Sequence, residues 1–121
     1  MSRLSETRIA AGVLGITLNG QLVPVGVWGT VHNLTPDETT PARNATPFAE
    51  GCSVVSVCAI GGDAYFKQGA DDVDATTDDV YLPTGVWMDV LLPAGSEWSY
   101  ISAIAAAGFG TIKVQIVERT P

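Results

Sequence analysis

The chain has 121 residues, 46% of them hydrophobic, and a formal net charge of −7 at pH 7. This apolar fraction excludes a disordered chain, and the length suits one domain with its own core. The six Lys and Arg residues are scattered along the sequence, whereas binding a nucleic-acid backbone depends on clustered cations, so we expect no nucleic-acid partner.

The N-terminal segment combines a polar arm with a short apolar run. Residues 1–7 are polar, and residues 9–18 read IAAGVLGITL. This run is too short to span a bilayer, and the arm lacks the pattern of a signal peptide, so we expect neither secretion nor a membrane partner. The Asn19-Gly20 pair that follows is typical of a β-hairpin turn.

Two contrasting segments come next. Residues 21–31, QLVPVGVWGTV, alternate as a strand does, and Pro24 confines them to an edge strand or an irregular one. Residues 32–50 form the longest polar stretch and hold three of the seven prolines. A loop of this length in a compact domain is usually functional, although a solvated excursion without a role is the open alternative.

The second half of the chain is a series of short segments separated by turn residues. The predicted strands are CSVVSVCAI (52–60), AYFKQG (64–69), VYL (80–82), VWMDVLL (86–92), EWSYISAIAAA (97–107) and TIKVQIVE (111–118). The alternative for the fifth of these is a short helix, because its alanines have high helix propensity. The regular turn spacing predicts an all-β fold, a single antiparallel β-sandwich or barrel-like domain. We assign residues 1–20 to an arm and first strand, and residues 21–121 to the sandwich with its long 32–50 loop.

The turns themselves carry a repeated pattern. Leu-Pro-Thr-Gly (82–85) and Leu-Pro-Ala-Gly (92–95) each follow an apolar run, so we interpret both as strand ends. The Gly-Phe-Gly sequence at 108–110 predicts a hairpin turn before the last strand. In that strand Ile112, Val114 and Ile116 are predicted to face the core with one face of residues 53–60, while Lys113 points outward.

Residues that could carry chemistry are few, and their spacing does not assemble a catalytic or metal-binding motif. His32 has no nucleophile motif near it and is interpreted as a surface or loop histidine. Cys52 and Cys58 would lie about 20 Å apart in one strand, beyond the roughly 7 Å of a disulfide, so they are predicted to be buried unpaired thiols. We therefore expect no cofactor, no metal and no enzyme activity.

Two further groups admit more than one interpretation. The aspartates of residues 71–79 fit no EF-hand register, and we interpret them as a solvated acidic turn, with a calcium site of another type as the alternative. Trp28, Trp87 and Trp98 are predicted to anchor the core or an interface, with a sugar-stacking platform as the alternative.

Residues 52–118 resemble a group of small virion proteins of tailed bacteriophages. The resemblance lies in AYFKQG (64–69), VDATTDDVYLPTG (73–85), VLLPAGSEWSYISAI (90–104) and GTIKVQIVE (110–118). Many proteins of that group resemble head decoration (cement) proteins, which are β-sandwiches that sit as trimers on the outer capsid.

The resemblance implies a capsid decoration protein that is made in the host cytoplasm, binds the outer surface of the assembled head and stabilises it by bridging capsid subunits. Its expected partners are the major capsid protein and further copies of itself, as a homotrimer. The alternative is a tail- or fibre-associated module that recognises host surface glycan. We predict that the arm, through Ile9 to Leu18, and the PDETTPARNATPF segment (36–48) of the 32–50 loop make the contacts with the capsid or with neighbouring copies. The alternative is that Ile9 to Leu18 is the first core strand. The predicted contact residues are Ile9, Val13, Leu14, Ile16, Leu34, Pro36, Pro41, Arg43, Pro47 and Phe48.

Overall fold

The computed structural model describes residues 16–18, 21–23, 27–93 and 97–120, and within these ranges it contains strands and no helix. The strands are β1 (Ile16–Leu18), β2 (Gln21–Val23), β3 (Val27–Leu34), β4 (Ala42–Arg43), β5 (Val54–Ile60), β6 (Ala64–Gly69), β7 (Val80–Leu82), β8 (Met88–Leu91), β9 (Tyr100–Ala105) and β10 (Lys113–Thr120). The predicted all-β fold is therefore confirmed. In the described ranges we find no helix long and apolar enough to cross a membrane.

Eight of the strands form two four-stranded antiparallel sheets. The first sheet has the order β3-β10-β5-β8, and the second has the order β4-β9-β6-β7. From β3 onward every connection passes from one sheet to the other, except the one between β6 and β7. Two sheets of this kind, wound by crossing connections, form a jelly-roll β-sandwich.

The core lies between the two sheets. Each sheet contributes alternating side chains from its inner face, as half-buried strands do. The inner residues of the first sheet include Leu34, Val55, Val57, Ala59, Val114 and Ile116, and those of the second include Ala64, Phe66, Leu82, Ile101, Ala103 and Ala105. The prediction that Ile112, Val114 and Ile116 face the core is confirmed, and Lys113 is exposed.

β1 and β2 form a separate two-stranded sheet. β1 pairs antiparallel with β2, with Ile16 opposite Val23 and Leu18 opposite Gln21. The turn predicted at Asn19-Gly20 lies outside the described residues. The prediction for Pro24 lies outside the described residues, and β3 is an edge strand of the first sheet.

The 32–50 segment differs from the predicted loop. His32, Asn33 and Leu34 are the last residues of β3, and Ala42–Arg43 form β4, which pairs with β9. Between these strands the chain is bound to the sandwich, because the Ile112 N–H donates to the Pro36 carbonyl at 3.0 Å and the Ala105 N–H to the Asp37 carbonyl at 3.0 Å. The segment is a connection from one sheet to the other, held by main-chain hydrogen bonds that polar composition alone does not reveal.

Two turns show the role of their glycine residues. Leu82 is fully buried, and Gly85 adopts a φ of 79°, a left-handed conformation that glycine accepts without strain. The Gly85 N–H donates to the Ala59 carbonyl at 2.9 Å, so this turn is also tied to β5. Gly108 and Gly110 also have positive φ, but they link β9 to β10 in different sheets. The predicted hairpin at 108–110 is therefore a crossing between sheets.

Candidate interaction face

The outer face of the first sheet carries several large apolar side chains that remain exposed to solvent, and four of them come from β3, β8 and the residue before β8. They are Trp28 of β3 at 57% exposure, Val31 of β3 at 46%, Trp87 before β8 at 44% and Leu91 of β8 at 52%. We call these four residues the tryptophan face. An exposed apolar group of this kind on one side of a domain is typical of an interaction site.

The two tryptophans reach toward each other across the sheet. Trp28 comes from the edge strand β3 and Trp87 from the residue before β8, yet their ring centroids lie 5.3 Å apart in an edge-to-face arrangement. Neighbouring strands are about 4.8 Å apart, so the rings must extend over β10 and β5, which lie between. This placement is consistent with the burial of Val117 and Cys58, which also point away from the core.

Three hydrogen-bonded polar side chains, those of Arg119, Ser56 and Asp89, lie beside the rings. The Arg119 guanidinium carbon is 3.9 Å from the centre of the Trp28 ring, a cation–π contact. Arg119 Nη1 donates to Ser56 Oγ at 3.1 Å, and Ser56 Oγ donates to Asp89 Oδ1 at 2.6 Å. These bonds connect β10, β5 and β8, so the tryptophan face is supported by a fixed framework.

β3 borders this face and ends the first sheet. It is eight residues long, and its sequence VWGTVHNL contains no Asp, Glu, Lys, Arg or Pro. Gly29 lets it pass close to β10, since a side-chain carbon at this position would lie 2.9 Å from the Glu118 carbonyl oxygen. The register between β3 and β10 shifts between Val117 and Arg119, so the regular pairing runs from Val31 to Leu34.

The acidic side chains concentrate elsewhere. Residues 70–79 connect β6 to β7, and Asp71, Asp72 and Asp78 in this loop are exposed. The loop is more than a solvated turn, because Val73 and Ala75 are buried and the Ala75 N–H donates to Ser102 Oγ on β9 at 2.9 Å. In the part of the chain that the structure describes, no three His, Cys, Asp or Glu side chains are grouped so as to hold a metal ion.

His32 is not the surface histidine that the sequence suggests. It is buried in β3 with its Nε2 2.7 Å from Glu118 Oε2 on β10, and its ring meets Phe48 edge to face at 5.2 Å. The Ala49 N–H donates to the other carboxylate oxygen at 3.2 Å. This polar pair ties the segment around Phe48 to the first sheet, which is a structural role.

A second polar cluster holds the turn after β7. The Asp63 carboxylate accepts hydrogen bonds from the Tyr81 hydroxyl at 2.7 Å, the Thr84 N–H at 2.9 Å and the Thr84 hydroxyl at 2.8 Å. These donors, Tyr81 first, hold the pKa of Asp63 below its ordinary value, and the same bond raises the pKa of Tyr81. Likewise, the N–H groups of Thr39 and Thr40 lower the pKa of Asp37.

The cysteines are confirmed as buried and unpaired. Burial is the main cause that raises the pKa of the Cys52 thiol, which opposes formation of the reactive thiolate. Its sulfur lies 3.1 Å from the Val54 carbonyl and donates to it. Both thiols therefore act as small core residues.

The predicted contact residues are scattered by the fold. Leu34, Pro36 and Phe48 are buried, so the surface role expected for these three side chains is corrected, and Leu34 and Phe48 pack in the core. Arg43 and Pro47 are exposed and Pro41 is half-buried, so their contact role stays a prediction. Ile16 begins β1, and the remaining three, Ile9, Val13 and Leu14, lie outside the described residues.

The sequence indicated only part of the tryptophan face. Trp28 and Trp87 were candidates for a core or an interface, and the structure excludes the core. Trp98 is also exposed and lies in the segment before β9, where its carbonyl and that of Leu91 both accept from Gln68 Nε2. Val31 and Leu91 went unrecognised, although in β8 the alternation of Met88 and Val90 with Asp89 and Leu91 is the signal that Leu91 faces outward.

No family model and no curated protein matches this chain. Among solved structures, it is similar to hydroxypropylphosphonic acid epoxidase from S. wedmorenis in complex with fosfomycin, with 22% identity and a TM-score of 0.45 over 73% of this chain and 41% of that one. The Fe(II) form of HppE matches at 22% identity and a TM-score of 0.37, over 65% of this chain and 41% of that one. The Co(II) form of HppE in complex with Tris buffer matches at 20% identity and a TM-score of 0.38, over 97% and 75%.

These matches contradict two expectations from the sequence. The similar structures are those of an enzyme and not of virion proteins, so the assignment as a capsid decoration protein, or as its tail-associated alternative, is not carried forward. The expectation that the chain is not an enzyme is contradicted by the same matches. The chain spans about two fifths of the first two structures, and TM-scores below 0.5 give no argument about a reaction, a metal or a substrate.

Proposed function

We propose that this domain is a subunit of a homo-oligomer and associates with a second copy of itself through the tryptophan face and the adjoining β3 edge. The observation that carries this proposal is the exposure of Trp28, Val31, Trp87 and Leu91 on one side of the first sheet. Removing such side chains from water favours association, and aromatic residues are enriched at the centres of protein interfaces.

The distribution of charge supports a second copy as the occupant. Each copy carries a net charge of −7, so two copies repel each other through most of their surfaces. β3 contains no charged residue, and the carboxylate of Asp89 on β8 is hydrogen-bonded to Ser56. A strongly basic partner would be drawn to the acidic 70–79 loop instead. The β3 edge, which carries no charged side chain, is where two like-charged copies can approach with the least electrostatic cost.

The test compares two matched valine substitutions. Val31→Lys places a cation on the tryptophan face, whereas Val80→Lys places one on β7, an edge strand of the other sheet. The two side chains are similarly exposed, Val31 at 46% and Val80 at 50%. Both side chains are largely exposed, so both variants should fold, which circular dichroism and thermal unfolding would verify. Sedimentation velocity over a range of protein concentrations then measures association.

We expect wild-type protein and Val80→Lys to show a mass that rises with concentration, and Val31→Lys to remain monomeric over the same range. Like charges brought together at an interface disfavour it strongly. A wild-type protein that is monomeric up to millimolar concentration would overturn the proposal. So would equal association of all three proteins, because the contact would then lie elsewhere.

A further inference from the structure

Each of the two sheets has two edge strands, and these four strands differ in length. β4 has two residues, β7 has three and β8 has four, whereas β3 has eight. An edge strand presents unpaired main-chain donors and acceptors, and natural proteins protect such edges by shortening them or placing charges on them. By this criterion β3 is the one edge of the described sandwich that is left open along much of its length.

Charged side chains also lie on or next to the three short edges. Arg43 of β4 is bound to Asp74 at 3.2 Å, Asp89 lies in the middle of β8, and Asp79 immediately precedes β7. Charges of the same sign facing each other across a new strand pair destabilise it. β3 has no such obstacle, because it contains neither a charged residue nor a proline.

We infer that β3 pairs antiparallel with β3 of a second copy, which joins two four-stranded sheets edge to edge into one continuous sheet. This inference rests on the self-association proposed above and specifies its geometry. A two-fold axis perpendicular to the sheet makes the strand pair antiparallel and lets the same residues serve both copies. The hydrogen bonds come from main-chain groups, as in other cases of strand addition.

This arrangement also accounts for the position of the tryptophan face. The two-fold axis keeps the outer faces of both first sheets on the same side, so Trp28 and Val31 of each copy lie near the junction. Regular pairing in β3 runs from Val31 to Leu34, and the irregularity lies toward Trp28. We therefore place the centre of the strand pair within Val31–Leu34 rather than at the start of β3.

Amide hydrogen exchange followed by mass spectrometry tests this geometry on the intact chain. The exchange of fragments that cover 27–34 is measured below and above the concentration at which the protein associates. N–H groups of β3 that point away from β10 should exchange about tenfold or more slowly in the associated state, because the new strand pair protects them. Fragments that cover β7, an edge strand of the second sheet, serve as the internal control, and their exchange should not change.

The outcomes separate this inference from the proposed function. If the mass shows association but β3 exchange is unchanged, the copies meet by another surface, such as face-to-face packing of the tryptophans, and edge pairing is wrong while self-association stands. If the protein does not associate at all, both are wrong. Equal slowing at β3 and β7 would indicate general aggregation and would also overturn the edge-pairing inference.

Discussion

At the scale of single residues, buried polar side chains form hydrogen bonds that join separate segments of the chain. His32 and Glu118 bind each other inside the sandwich, and Asn44, also buried, accepts from the Ile101 N–H at 2.9 Å while it donates to the Thr46 and Ser99 carbonyls. Burying such groups without partners would destabilise the fold, and each of these has its partners. The connection between β3 and β5 is therefore held in place by side chains that look like loop residues in the sequence.

Asp63 gives a prediction for the pH dependence of stability. Its pKa is lowered in the folded protein, so its contribution is present above the ordinary value of 3.8 and is lost as the pH falls through the folded value. The substitution Asp63→Asn should therefore lower the free energy of unfolding at pH 7, and the difference from wild type should shrink as the pH falls below about 4. Urea unfolding at several pH values measures both quantities.

The control for this experiment is Asp72→Asn, which removes an exposed carboxylate from the 70–79 loop. A difference that stays constant with pH in Asp63→Asn would contradict the assignment. Tyr81 should give the opposite pH dependence of stability, because its pKa is raised. Its contribution to the free energy of unfolding is present below the ordinary pKa of 10.0 and is lost as the pH rises through the folded value.

At the scale of elements, β5 and β10 form the centre of the first sheet and are buried on both faces over most of their length. Val55 and Val57 face the core, while Val54 and Ser56 point outward and are nevertheless buried. The neighbouring strands and the Trp28–Trp87 pair account for the burial of these outward-facing side chains. A continuous run of small apolar residues such as VVSVCA is the sequence pattern that suits this position.

Two adjacent substitutions in β10 test the register of this strand. Val114→Asp places a carboxylate in the core with no partner and should lower the free energy of unfolding by about 3–5 kcal/mol, or prevent folding. Lys113→Asp lies on the exposed face and should change it by less than about 0.5 kcal/mol. Urea unfolding measures both, and circular dichroism detects a variant that does not fold. Equal effects from the two changes would show that the register is wrong.

At the scale of the whole molecule, the aspartates of the 70–79 loop and the exposed apolar side chains of the tryptophan face lie at different places on the surface. The 70–79 loop carries five aspartates on the outer side of the second sheet, and the tryptophan face lies on the opposite side of the sandwich. Long-range repulsion between copies and short-range apolar attraction therefore act at different places on the same domain. Their balance sets the strength of self-association.

Salt should strengthen the association of the wild-type protein. Raising the ionic strength from about 0.01 M to about 0.1 M shortens the screening length from roughly 30 Å to roughly 10 Å, which weakens repulsion between the two negative copies. Apolar contact at the tryptophan face is not weakened by this change. Sedimentation velocity at the two ionic strengths should show a smaller dissociation constant at the higher one. The opposite trend would indicate that ion pairs between copies hold the oligomer, which disagrees with an uncharged β3 edge.

Local patterns were sufficient to predict most strands and their ends. AYFKQG and VYL match β6 and β7 residue for residue, and the predicted segment 97–107 contains the strand β9 rather than a helix. Alternation and turn chemistry are properties of a few consecutive residues, so the sequence expresses them directly. The all-β class and the core positions of β10 follow from the same kind of information.

The features that only the tertiary structure decided depend on contacts between residues far apart in the chain. The burial of His32 required Glu118, 86 positions away, and the exposure of Trp28 depended on where Trp87 and Arg119 came to lie. The crossing at 108–110 and the bound connection between β3 and β4 likewise follow from the order of strands in the two sheets. Alternation tells which residues share a face, but only the pairing of distant strands decides whether that face meets the core, another side chain or solvent.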